Sequence, residues 1–211
     1  MKLDNHVGCI CKKECMTEIN PDRTPSTCPS KRFEKIKTSV RQKYKEKGSV
    51  AREYWQAFSK LVGSGGAQRS RLEHIMEFSR AAGIKKIGLA GCTRYIKLMH
   101  TTCKVLEAHG FEAMHIVCKV HGNHFNDIDI DLDSDWTLCN PLGQVMLLNE
   151  WKSQLNVQFG LCMGHDLIFN HYSHAPVTVL VVKEKISDDS PVQTIKRIEK
   201  EEYQLDPYMI R

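Results

Sequence analysis

Long hydrophobic runs are missing from this chain of 211 residues. The longest apolar stretch, Val177–Val182, includes a threonine and falls well short of the roughly 18 residues that a membrane helix needs. The opening residues, MKLDNHVGCICKKEC, contain no apolar segment of the secretory type. A cytoplasmic setting with no membrane partner is therefore expected. Gly (13) and Pro (7) are too few for a collagen or a Pro/Gly-rich disordered chain. What remains, 41% hydrophobic and 26% charged, is the composition of a globular protein of one to one and a half domains.

Cysteine is the exception. Nine cysteines, an odd number in a chain with no export signal, argue against a disulfide framework and toward metal or redox chemistry. Cys103 fits a buried helical position, where a thiol acts as a small hydrophobe. The cysteines grouped beside Pro and Gly do not.

The formal charge of +5 conceals a division. Residues 1–86 carry 19 Lys/Arg against 9 Asp/Glu, whereas residues 87–211 carry 11 against 16. The basic residues of 31–47 recur around Phe33, Ile36, Val40 and Tyr44, the pattern of one apolar helix face with solvated charges opposite. With no aromatic-interleaved basic surface and no helix-turn-helix pattern, nucleic acid is not the expected partner.

Along the chain, residues 1–30 form a cysteine-rich segment with too little apolar periodicity for a core of their own. A basic helical region spans 31–83, interrupted near Gly48 and by the Gly63-Ser64-Gly65-Gly66 loop. That loop lacks the spacing and the preceding strand of a phosphate-binding turn. Its last helix runs from about Ser70 to Ala82 and closes on Gly83. From 84 to 186 strands and helices alternate. Strands are expected at Lys86–Gly91, Glu112–Val120, Asn156–Cys162 and Pro176–Lys183. Helices are expected at Tyr95–His109, Pro141–Lys152 and Asp166–Tyr172. Such alternation predicts a three-layer α/β sandwich around an open parallel sheet of about four strands, Rossmann-like or flavodoxin-like. Residues 187–211 read as a tail helix.

In open parallel sheets, ligands bind beyond the carboxyl ends of the strands. The sequence places Cys92 just after the first strand and Cys118 near the end of the second. Cys139 precedes a helix in Cys139-Asn140-Pro141, and Cys162 ends the third strand. Four cysteines distant in sequence are thereby expected on one edge of the sheet, where helix N-termini favour thiolates. His165 and Asp166 open the helix beside Cys162. The competing reading makes them small residues in tight turns, with Asp166 as a helix cap.

A second group is N-terminal: Cys9, Cys11, Cys15 and, after twelve intervening residues, Cys28. Closely spaced thiolates with a distant fourth are a usual way for a coreless segment to fold around zinc or an iron–sulfur cluster. The run Asp127, Asp129, Asp131, Asp133 and Asp135 lacks the Gly and terminal Glu of a calcium loop and reads as a solvated acidic loop. His121, His124, His171 and His174 flank the same edge as further candidate ligands.

The segments KKIGLAGC, LEAHGFEAMHIVCKV, CNPLGQVMLLNE, NVQFGLCMGHDLIF and YSHAPVTVLVVKEK together resemble the family named domain of unknown function 1847. The likeness covers about residues 69–186 plus Pro25-x-x-Cys28-Pro29. Members are described as predicted metal-binding proteins. The resemblance implies an N-terminal cysteine cluster and supports Cys118, Cys139, Cys162, His165 and Asp166 as family positions. The irregular N-terminal spacing and the Asp run stand outside the family pattern.

The sequence supports three competing functions. The leading one is a metal protein holding an iron–sulfur cluster (4Fe–4S) or zinc, with a redox or sulfur-handling role. Cys9, Cys11, Cys15 and Cys28 would ligate one site, and Cys92, Cys118, Cys139 and Cys162 the other. The second is an enzyme with Cys162 as nucleophile, His165 or another nearby histidine as its base, and Asp166 beside them. The third is a non-catalytic zinc module binding a protein or nucleic acid. A small molecule or a redox partner is the expected ligand class, with homo-oligomerisation left open.

Overall fold

The computed structural model describes residues 28–33, 35–62, 69–122 and 137–204. The chain divides into two compact units, residues 1–63 and 64–211. Cys9, Cys11, Cys15, His124 and the Asp127–Asp135 run lie outside the described residues.

The first unit contains α1 (Pro29–Arg32), α2 (Ile36–Lys45) and α3 (Val50–Val62). Gly48, at φ +82°, takes the left-handed conformation that turns the chain between α2 and α3. Ser49 then caps α3, its Oγ accepting from the Arg52 backbone N–H at 3.3 Å. Helices α2 and α3 pack on each other. Ile36, Val40 and Tyr44 form the expected apolar stripe but remain exposed.

The second unit begins with α4 (Arg71–Ala81). Ser70-x-x-Glu73 forms a reciprocal capping box, with Ser70 N–H donating to Glu73 at 2.6 Å and Glu73 N–H to Ser70 Oγ at 3.2 Å. Then follow β1 (Lys86–Gly91), a 3-10 turn (Thr93–Tyr95), α5 (Ile96–Ala108) and β2 (Glu112–Val117). After them come α6 (Pro141–Glu150), β3 (Leu155–Phe159), α7 (Met163–Tyr172) and β4 (Val177–Val181). A 3-10 turn at Lys185–Ser187 and α8 (Pro191–Glu199) complete the described chain.

The strands pair in the order β2-β1-β3-β4, all parallel. Residues of α4 and α5 (Ile75, Met76, Met99, Leu106) cover one face, against Ile87, Leu89, Val157 and Phe159. Residues of α6 and α7 (Val145, Leu148, Phe169) cover the other, against Ala90 and Ile116. This is the expected three-layer α/β sandwich. Because α4 packs into the sheet's core, it belongs with the α/β unit rather than with the basic helices before it.

Gly88 shows why β1 must be narrow on the α6 face. A Cβ there would stand 2.6 Å from Asn156 Oδ1 and 2.8 Å from a Leu148 methyl. The order β2-β1-β3 also fixes the switch point. The connections that leave β1 and β3 run toward opposite edges, opening a crevice between the carboxyl ends of these two strands.

Two of the boundaries that differ from expectation decide where the cysteines lie. Strand β2 ends at Val117, because Cys118 turns off the sheet while its N–H still bonds Gly91 O at 2.9 Å. Strand β3 ends at Phe159, because Gly160 at φ +65° reverses the chain. Cys162 is therefore not a strand end. It is the N-cap of α7, and His165 and Asp166 lie in that helix's first turn.

Candidate thiolate site

All four cysteines of the α/β unit's connecting loops come to the carboxyl edge of the sheet, in two pairs. The first pair is Cys92 and Cys162, at the switch point. Cys92 follows β1 and starts the 3-10 turn, and Cys162 caps α7. Between them stands Lys183, two residues beyond β4, its Nζ donating to Cys162 Sγ at 3.2 Å and to Cys92 Sγ at 3.5 Å. The second pair is Cys118 and Cys139, with sulfurs 3.6 Å apart. Their backbones are joined too, the Asn140 N–H donating to Cys118 O at 2.7 Å.

The electrostatics of the pairs differ. Burial by itself would raise the Cys92 thiol, but the Arg94 N–H, the Lys183 ammonium and the Thr93 side chain together bring it below the ordinary cysteine value. Burial likewise works against the Lys183 charge. The hydrogen bond to Cys162 and the negative charge of both sulfurs outweigh it and hold the ammonium above the usual lysine value. Cys118, almost wholly enclosed, goes the other way: burial pushes its thiol up to about 11, and Cys139 adds to the rise. Cys162 is exposed, whereas Cys92 and Cys139 are half-buried.

The residues expected around Cys162 occupy separate places. Burial, with the positive charges of Lys183 and Lys119, lowers the His165 imidazole below the ordinary histidine value. The group bonded to Cys162 Sγ is Lys183, not His165. Burial raises the Asp166 carboxyl. Asp166 does not cap α7, a position Cys162 fills without a side-chain cap bond. His121 adopts φ +46°, and its carbonyl accepts from Asn140 Nδ2 at 3.2 Å. His171 packs edge-on against Tyr172 at the far end of α7, and His174 follows that helix, so neither reaches the carboxyl edge. Cys103 packs in the core, as expected, with its Sγ 3.6 Å from His115 Nδ1.

Lys183 is the member of this cluster that the sequence did not single out. The signal was present: a basic residue just beyond the fourth strand falls on the same edge as the cysteines. The brace behind it was not legible. Tyr95 OH donates to Asp189 Oδ1 at 2.7 Å, and the same oxygen accepts the Glu184 N–H at 3.0 Å. The loop carrying Cys92 is thereby tied to the loop carrying Lys183.

Cys28 is buried and caps α1 without a side-chain bond. Among the described residues, no three His, Cys, Asp or Glu side chains converge on one point as ligands of a metal ion. No described helix is long and apolar enough to cross a membrane. A hollow of about 460 Å³ lined by Tyr44, Arg52, Trp55 and Gln56 lies in the helical unit and contains none of these cysteines.

No solved structure matches the chain. An uncharacterized protein of Methanocaldococcus jannaschii is 38% identical over 122 residues, covering 56% of this chain. The match spans 63% of that relative's own length. The profile of the family described as "Protein of unknown function (DUF1847)" matches residues 28–180, which include Cys28, Cys92, Cys118, Cys139 and Cys162. With most of its length matched, the chain belongs to this family.

Proposed function

We propose that the protein is a cysteine-dependent enzyme acting on an electrophilic small molecule in the crevice between β1 and β3. The observation that carries this reading is the single ammonium of Lys183 on the sulfurs of both Cys162 and Cys92. A fixed positive charge favours thiolate over thiol, and the thiolate is the nucleophile. Cys162 is the attacking residue because it is exposed and begins a ten-residue helix. The Cys162 sulfur bonds to the electrophilic carbon, and the carbonyl electron pair moves onto oxygen. The N–H groups of the first turn of α7 stabilise that oxyanion. The leaving group departs as the carbonyl re-forms, taking a proton relayed from solvent through His165. A water then attacks the acyl carbon and gives a proton back through His165, releasing the acid and restoring the Cys162 thiolate.

A second reading keeps the metal. It is favoured by the donor set, since Cys92, Cys118, Cys139 and Cys162 offer soft sulfur ligands from four segments suited to zinc or an iron–sulfur cluster. As the side chains stand, no single ion fits, because no three donors converge and an ammonium occupies the space between two of them. The N-terminal Cys9, Cys11, Cys15 and Cys28 would hold a separate metal.

Anaerobic purification, a visible spectrum, metal analysis and site-resolved alkylation together test both readings. For the enzyme, Cys162→Ser keeps the wild-type metal content and abolishes the fastest alkylation. Loss of iron or zinc in Cys162→Ser would overturn the nucleophile reading and favour the ligand one.

A further inference from the structure

The Cys118–Cys139 pair takes no part in the chemistry proposed for Cys162. Its two sulfurs stand 3.6 Å apart, so reaching a disulfide bond of about 2.05 Å requires roughly 1.5 Å of approach. The backbone already holds the two residues side by side, through Asn140 N–H to Cys118 O at 2.7 Å. Two further bonds hold the same neck, Asn140 Nδ2 to His121 O at 3.2 Å and Lys119 Nζ to Thr137 O. Little backbone movement is needed for the sulfurs to meet.

Access differs between the partners. Cys118 is 2% exposed and closed to a reagent in solution, whereas Cys139 is half-buried and open to one. An external oxidant therefore meets Cys139 first, and only the neighbouring thiol, held in place, can reach the product. This is the arrangement of an accessible and a resolving cysteine.

We infer that Cys118 and Cys139 form a second, redox-active site that is oxidised reversibly to an internal disulfide by a low-molecular-weight disulfide. The Cys139 thiolate attacks one sulfur of the reagent, forming a mixed disulfide and expelling one thiolate. The Cys118 sulfur, giving up its proton, attacks Cys139 Sγ and expels the second. The protein dithiol loses two electrons and two protons, and the reagent leaves as two thiols. An external dithiol reverses the reaction.

The test uses the full chain, purified anaerobically and exposed to oxidised glutathione. Non-reducing digestion and mass spectrometry should find the Cys118 and Cys139 peptides linked, with dithiothreitol restoring the free thiols. The linkage should form equally in a Cys92→Ser/Cys162→Ser double variant, which separates this inference from the nucleophile reading. In Cys118→Ser, a glutathione adduct should remain on Cys139. A persistent adduct on Cys139 in the wild-type protein would overturn the inference. So would linkage of either cysteine to Cys92, or full protection of both by a bound metal.

Discussion

Tyr95 and Asp189 are joined across the carboxyl edge of the sheet by a 2.7 Å hydrogen bond. Tyr95 closes the turn that Cys92 begins, and Asp189 also accepts the N–H of Glu184, the residue after Lys183. The bond thus sets the distance between one sulfur of the site and its ammonium. Tyr95→Phe keeps the ring packed against Phe159 but removes the donor. Cys92 alkylation at pH 7 is expected to slow several-fold in this variant, with secondary structure unchanged by circular dichroism.

Lys183 should set the pH profile of thiol reactivity. With the ammonium in place, the Cys92 thiol lies below the ordinary cysteine range. The thiolate fraction, and with it the iodoacetamide rate, then persists to lower pH than in a free thiol. Lys183→Met removes the charge and leaves the burial, so the midpoint should move upward and the rate at pH 7 fall by about tenfold for each unit of that shift. Lys183→Arg should recover part of the rate. A profile unchanged in Lys183→Met would remove the ammonium from the chemistry.

Cys103 supplies the contrast. Burial pushes its thiol up to about 11, with the Glu107 charge adding to the rise. It should stay unmodified in a reagent series at pH 7 to 9 while Cys162 and Cys92 are consumed, and peptide mapping of partially alkylated protein reads this directly.

Asp166 gives a stability signature of definite sign. Burial raises its carboxyl in the folded state, so the native protein holds that proton more tightly than the unfolded chain. Its contribution therefore falls as pH rises through the interval between the unfolded and folded values, and above it the buried charge is a net cost. Asp166→Asn should raise Tm at pH 7 and leave it nearly unchanged at pH 3. Equal shifts at both pH values would mean that packing, not charge, governs the site.

Gly160 is where the strand turns toward Cys162. Its φ of +65° is strained for any residue with a side chain, and a Cβ there would run into the Tyr95 ring. Gly160→Ala should destabilise the protein by about 1–3 kcal/mol in urea unfolding. It should also slow Cys162 and Cys92 alkylation together, because both loops move.

The alternation of strands and helices, the helix start near Ser70, its close at Gly83 and the parallel sheet were all determined by the sequence. Each rests on local signals: hydrophobic period, cap chemistry or a glycine at a helix end. The gathering of Cys92, Cys118, Cys139 and Cys162 at one edge followed as well, because a parallel sheet sends every strand's carboxyl end the same way. Tertiary structure decided how those sulfurs divide. Lys183 joins two of them and a backbone bond joins the other two. Both arrangements depend on strand order and on the exact length of β3. The left-handed Gly160 cut that strand short and turned Cys162 into a helix cap. The sequence marks that residue as glycine, but only its approach to the Tyr95 ring, 65 positions earlier in the chain, shows why no side chain fits there.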